Sequence, residues 1–326
     1  MRALLCHQFG PPESLALEDV DDPEPGPDEV VVDVRACSAT FPDVLMIQGL
    51  YQFKPSFPFS PGGEVAGVVA SVGDGVTTVA PGDRVIVPLG WGGMAEKVRA
   101  PASTAVPLPE GVGFEAAAGF LYAYGTSFHA LRDRGELQPG ETLLVLGAAG
   151  GVGLAAVELG ATMGATVIAA ASSESKLAVC RERGAAMTID YEQEDLKSAV
   201  RELTGGRGPD VVYDPVGGRY SEPALRSIAW SGRYLVIGFA AGEIPKVPLN
   251  LPLLKGCSVV GVFWGAFVQH EPERAADNAR ELVGMLGDGR LQPYVSATFP
   301  LADGGLAIRH LAERKAEGRV VVTVDA

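Results

Sequence analysis

The chain has 326 residues, enough for two packed cores, and its 47% hydrophobic and 20% charged residues set it apart from disordered chains. Forty acidic against 26 basic residues give a formal charge of -14, a field that opposes binding to nucleic-acid backbones. Met1 to His7 lacks a secretory apolar core, no apolar run approaches ~18 residues, and Cys6, Cys37, Cys180 and Cys257 are scattered; the expectations are a cytoplasmic setting, no membrane span and no disulfide framework.

Up to about residue 110, short β-branched runs are punctuated by glycine and proline: Val30-Val31-Val32, Val65 to Val69, Val76 to Val79 and Arg84 to Pro88. This grammar predicts an antiparallel, barrel-like domain, with Gly73-Asp74-Gly75 and Pro81-Gly82-Asp83 as tight reversals. Beyond about residue 118 the pattern becomes apolar strand, glycine-containing turn and helix, repeated. Strands are expected at Thr142 to Leu146, Thr166 to Ala170, Met187 to Ile189, Asp210 to Tyr213 and Tyr234 to Ile237, with amphipathic helices at Lys176 to Arg183 and Leu196 to Leu203. Such alternation implies a parallel, doubly wound sheet. A helix over Glu271 to Leu286 and a last strand over Arg319 to Val324, rejoining the first domain, complete the reading.

The strongest chemical signal is Leu143-Leu144-Val145-Leu146-Gly147-Ala148-Ala149-Gly150-Gly151-Val152-Gly153, a buried strand that runs through a glycine-rich turn into a helix. Glycines let the backbone approach a pyrophosphate, and the free N–H groups of the helix start stabilise the anion. Glycines at 147, 150 and 153 depart from the strict dinucleotide spacing, yet the flanking strand, helix and second strand support a dinucleotide site. At the tip of the second strand, where an acid would accept the 2'-hydroxyl of NAD, stand Ser172, Ser173 and Lys176. Two hydroxyl donors and a cation suit a 2'-phosphate, so NADPH is the expected coenzyme; Ser173 can also cap the next helix, and Glu174 is the contrary residue. His7, His129, His270 and His310 stand apart from one another and from the cysteines, so no metal site is expected. His129 either approaches a ligand or packs within its helix. No Gly-x-Ser-x-Gly elbow is present, which disfavours a serine hydrolase.

Further segments run along nearly the whole chain: Phe41-Pro42-Asp43-Val44-Leu45, Gly49-Leu50-Tyr51-Gln52, Pro61-Gly62-Gly63-Glu64-Val65-Ala66-Gly67, Gly125-Thr126-Ser127, Asp214-Pro215-Val216-Gly217-Gly218, Gly238-Phe239-Ala240-Ala241-Gly242 and Gly261-Val262-Phe263-Trp264-Gly265. Together they resemble the zinc-independent quinone oxidoreductases of the medium-chain dehydrogenase/reductase superfamily, the zeta-crystallin-like group. The resemblance implies an α/β fold in which a Rossmann doubly wound parallel sheet, residues 119–262, is inserted in a GroES-like, mainly β catalytic domain, residues 1–118 and 263–326. It also implies a homodimer formed through the Rossmann domain. In zinc-dependent relatives a ligand Cys would stand where this chain has Thr40, and a ligand His where it has Gly63 beside Glu64.

By the same resemblance Thr126 and Val216 border the nicotinamide, Tyr191 flanks the adenosine, and Lys176 meets the 2'-phosphate. Gly238, Phe239 and Ala240, with Phe263 and Trp264, line the far side of the cofactor cleft. Tyr51 either hydrogen-bonds the acceptor oxygen or only shapes the pocket rim. Many relatives carry Asn at the place of Thr40, where it helps fix the nicotinamide side. Phe120-Leu121-Tyr122-Ala123-Tyr124 departs from a Pro- and Thr-containing version, which bears on substrate preference. A site without a Lewis acid suits hydride delivery to an already electrophilic acceptor. The leading expectation is NADPH-dependent reduction of a quinone. Two others stay open: reduction of the C=C bond of an activated enone or acryloyl-type substrate, and an NADPH-binding structural or regulatory protein without turnover.

Overall fold

The computed structural model describes residues 1–325 and divides the chain into two units, Met1–Tyr122 with Ala279–Ala326, and Ala123–Asn278. In chain order the strands are β1 (Arg2–Leu5), β2 (Ala16–Asp19), β3 (Glu29–Ala39), β4 (Glu64–Val72), β5 (Arg84–Pro88), β6 (Lys97–Pro101), β7 (Val106–Pro107), β8 (Thr142–Leu146), β9 (Thr166–Ala171), β10 (Met187–Asp190), β11 (Val211–Asp214), β12 (Arg233–Val236), β13 (Ser258–Gly261), β14 (Val295–Pro300) and β15 (Arg319–Thr323).

The first unit is built on β3, whose length lets it serve three neighbours. Its first half pairs with β6, its second half with β15, and β4 runs along its other edge. The sheet order is β14-β15-β3-β4-β5-β7, with β6 also on β3. All these pairings are antiparallel except β14 with β15, which is parallel and so departs from the wholly antiparallel expectation. Val30, Val32 and Val34 alternate inward to meet Val65, Val85 and Val320, as β-branched residues do on a half-buried pleat. Val76 to Val79, expected as a strand, forms none. The stretch lies between two reversals and pairs with no strand, and Val79 and Val76 add only side chains to the core.

The second unit holds six parallel strands in the order β10-β9-β8-β11-β12-β13. The chain starts at the centre, winds outward through β9 and β10, then returns to build the other half from β11. The strand order therefore reverses between β8 and β11, the place where open α/β sheets bind ligands at their carboxyl ends. Every residue of β8 is buried, the signature of a strand covered on both faces. This unit runs on to Asn278, past the expected boundary at 262. Phe267 stacks on His129 with ring centroids 3.8 Å apart, and Asp133 accepts from Arg274 at 2.9 Å and from Asn278 at 2.8 Å. His129, with Nδ1 2.9 Å from the same Asp133, is thereby a packing residue of this helix-to-helix contact.

Candidate active site

At the β8 carboxyl end the chain turns at Gly147, whose φ of +56° favours glycine, and enters the helix Gly151–Thr162. A side chain at Gly153 would put Cβ 2.2 Å from the Gly147 carbonyl, so only glycine lets helix and turn approach this closely. The consequence is a cradle in which the first-turn N–H groups, at Gly151 and Val152, have no partner within their helix and carry its positive end. Ala148 and Ala149 are buried behind it, and Gly150 caps the helix in extended conformation. Val216 covers the turn: a Cβ on Gly147 would lie 2.7 Å from its Cγ2.

At the next strand tip the expected residues come together. Ser173 caps the helix Glu174–Glu182 by accepting from the Lys176 N–H, and the Lys176 ammonium returns to the Ser172 hydroxyl at 3.3 Å. Glu174 turns away onto Arg181, at 2.6 Å, and that hydrogen bond holds its carboxyl below the usual range. Two hydroxyls and a cation therefore gather with no acid among them, which fits a phosphate and not a ribose 2'-hydroxyl. Tyr191 follows β10 and lies against Tyr220, ring centroids 4.4 Å apart.

Beyond β11 the turn is held by a residue that the sequence reading did not single out. Asp214 is buried; its Oδ1 accepts from the N–H groups of Val216 and Gly217, both at 2.8 Å, and its Oδ2 from Ser221 at 2.7 Å and from Tyr234. The backbone of Ala240 donates to the Pro215 carbonyl at 3.0 Å, so the segment Gly238, Phe239 and Ala240 is laced to the same turn. An acid that ends an otherwise apolar strand before Pro-Val-Gly-Gly was the available signal. Trp264 packs its indole on Gly125, where a Cβ would lie 2.9 Å from Nε1, and this sets it beside Thr126. Phe263 next to it is 47% exposed and is the N-cap residue of the helix Trp264–His270.

In the other unit, Thr40 caps the short helix Phe41–Met46. Its N–H and its hydroxyl both donate to Asp43 Oδ2, at 2.7 and 2.6 Å, while Asp43 Oδ1 accepts from Gly62 at 2.7 Å. Tyr51 is half-buried against the core of that unit, edge to face with Phe53. Burial, with the Asp43 charge adding to it, pushes its phenol above the ordinary value. The side chain is thus made a weaker acid.

Two more residues of this unit were missed as site residues. Glu64 is fully buried at the start of β4; its two oxygens accept from Leu121 at 3.0 Å and Tyr122 at 2.6 Å. Burial lifts this carboxyl to about 7 against the opposing pull of those N–H groups and of Arg319. Tyr122 stands over Gly63, where a Cβ would be 3.1 Å from its hydroxyl, and burial drives its phenol upward too. An acid inside the apolar run of β4 and a tyrosine in place of a smaller residue were the readable signs.

A GroES-like sheet together with a parallel nucleotide-type sheet and a glycine cradle defines a nicotinamide-dependent dehydrogenase or reductase of the two-unit type. Residues 26–110 match the alcohol dehydrogenase GroES-like domain, and residues 151–281 the domain described as zinc-binding dehydrogenase. The chain is 40% identical over 324 residues to the quinone oxidoreductase-like protein 2 homolog of Nematostella vectensis, covering 98% of this chain and 88% of that protein. Its fold is similar to that of Escherichia coli quinone oxidoreductase complexed with NADPH, with a TM-score of 0.93 and 29% identity over 99% of this chain and 100% of that one. A mycobacterial protein complexed with NADPH gives a TM-score of 0.92 and 32% identity over 99% and 100% of the two chains. The chain belongs to the quinone oxidoreductase family of the medium-chain dehydrogenase/reductase superfamily, and it is an oxidoreductase.

The description of the second domain raises the question of zinc, and the residues do not fit it. Thr40 offers a hydroxyl already given to Asp43, Gly63 offers no donor, and the space above Gly63 holds the Tyr122 phenol. Among the described residues no group of three His, Cys, Asp or Glu is placed to hold a metal ion.

Proposed function

We propose that the protein is a zinc-independent reductase that takes hydride from NADPH and delivers it to a quinone. Bound NADPH would supply the hydride from its nicotinamide. The observation that carries the coenzyme is the cluster of Ser172, Ser173 and Lys176 at a strand tip without an acid. In this reading the N–H groups from Ala148 to Val152 take the pyrophosphate, and Tyr191 flanks the adenosine. Thr126, Val216 and the Gly238-Phe239-Ala240 segment border the nicotinamide, with Phe263 and Trp264 closing the far side. Tyr51 supports the choice of acceptor. A neutral phenol shifted upward in pKa cannot stand in for a metal in holding a simple alkoxide, but it can orient the oxygen of an acceptor whose reduced form spreads its own charge, as a hydroquinone does.

The test is NADPH consumption against a panel of quinones and α,β-unsaturated carbonyls, with NADH as control and with chelator-treated protein. Turnover of quinones with NADPH, unchanged by chelation, is expected. Turnover confined to the unsaturated carbonyls would move the reaction to C=C reduction, and NADPH binding without turnover of any acceptor would replace the enzyme reading with a binding protein. A cytoplasmic setting agrees with the four free, buried cysteines, and no helix of the described residues is long and apolar enough to cross a membrane. We further propose a homodimer through the β13 edge, where Val259 is 52% exposed, with the preceding helix Asn250–Lys255, whose Leu253 is 78% exposed.

A further inference from the structure

The second unit carries a cationic cleft of about 250 Å³ that none of the coenzyme residues lines. Lys197 and Arg201 come from the helix Leu196–Leu203, Arg226 from Ser221–Ser227, and Lys255 from Asn250–Lys255, with Leu251 and Ser227 beside them. Arg226 and Lys255 end helices that lead into β12 and β13, and Arg201 lies in the last turn of the helix before β11. The cleft therefore sits toward the amino ends of the strands, the opposite edge from Gly147, Ser172 and Val216.

Four cations in one cleft of a chain with formal charge -14 call for a cause. Arg201, Arg226 and Lys255 each stand in a last helical turn, where a cation offsets the carbonyl end, and Arg226 is paired with Glu222 at 2.5 Å. With roughly half a charge offset per helix end and one on Glu222, between one and two positive charges are left over. Lys197 has no such part. It is the second residue of its helix, at the positive end, with only the capping Asp195 nearby, and it precedes Arg201 by four residues, a like-charge spacing that destabilises a helix. Neither Lys197 nor Arg201 makes a salt bridge among the described residues.

We propose that this cleft binds a compact polyvalent phosphate anion, a small diphosphate or phosphate ester. An anion bridging Lys197 and Arg201 turns their repulsion into attraction, and charge-assisted bonds from these two, joined by Lys255, whose ammonium also donates to the Ile228 carbonyl at 3.0 Å, match phosphate oxygens. At about 250 Å³ the cleft suits a compact group better than a drug-sized ligand.

The experiment is calorimetric titration of inorganic pyrophosphate into the full protein saturated with NADPH, against sodium chloride at matched ionic strength. One saturable site is expected, weakened about tenfold or more in the double variant Lys197→Ser, Arg201→Ser, with NADPH affinity unchanged as the control for folding. Lys176→Ala is expected to keep the pyrophosphate site. Absence of saturation beyond the chloride effect, equal binding by the double variant, or loss of binding in Lys176→Ala would each overturn the proposal, the last by returning the signal to the coenzyme's phosphate position.

Discussion

Replacing Glu64 by glutamine isolates the energetic consequence of a buried carboxyl in β4. Burial raises this group from the ordinary 4.5 to about 7. Between those values the unfolded chain has released the proton and the folded chain still holds it, so the unfolded state binds fewer protons and stability falls as pH rises. At ~1.4 kcal/mol per pH unit, that window sets an upper limit of about 3 kcal/mol lost between pH 4.5 and about 7, after which the loss levels off. Glutamine keeps the shape and cannot ionise. Its amide nitrogen would face the N–H of Leu121 or Tyr122, a cost of roughly 1–3 kcal/mol that does not vary with pH. Unfolding free energies from urea titrations of wild type and Glu64→Gln, taken from about pH 4 to about pH 8, give the assay. The difference, wild type minus variant, is expected to fall across the window by at most about 3 kcal/mol, and taking the difference cancels other groups such as Asp133, whose carboxyl is held low by His129 and Asn278. A difference that stays constant with pH would refute the assignment.

Lys176→Ala removes a charge-assisted contact worth about 2 kcal/mol, so the KM for NADPH is expected to rise roughly 30-fold with the KM for NADH unchanged; equal shifts for both would remove Lys176 from the 2'-phosphate. Tyr51→Phe is expected to lower kcat/KM about tenfold at unchanged melting temperature, and full retention of kcat/KM would reduce Tyr51 to a pocket wall. Gly153→Ala forces a Cβ to 2.2 Å from the Gly147 carbonyl, with an expected loss of about 1–3 kcal/mol in denaturant unfolding and weaker NADPH binding; wild-type values in both would show that the turn yields freely. Val259→Lys charges the β13 edge, and light scattering is expected to report a monomer, whereas a persisting dimer would place the interface elsewhere.

The nucleotide half was legible because its information is local. A parallel strand buried on both faces reads as an unbroken apolar run, which is why Leu143 to Leu146 and the tip at Ser172, Ser173 and Lys176 stand out without any knowledge of their neighbours. Val76 to Val79 carries the same kind of residues, yet forms no strand, because a strand needs a partner edge and no residue type encodes that. Glu64 shares this long-range character, being read only through Leu121 and Tyr122, more than fifty positions away, whereas Asp214 is held mostly by near neighbours, Val216, Gly217 and Ser221, and was within reach of the sequence. Contacts of Arg274 and Asn278 with Asp133 are of the same long-range kind and carry the second unit past residue 262.

Thr40 shows how a departure from a family pattern acquires a direction once its partners are known. An asparagine offers both an acceptor and a donor to whatever lies beside it, whereas a threonine hydroxyl has one proton to give. Here that proton goes to Asp43, and the carboxylate is itself held by Gly62 in the segment that leads into β4. The hydroxyl is left with lone pairs alone, so any further partner of it would have to be a donor. The same bond ties Thr40 to the Gly62-Gly63-Glu64 stretch, above which the Tyr122 phenol stands. The two departures of this chain, at 40 and at 122, are therefore joined through Asp43 and the backbone at Gly62.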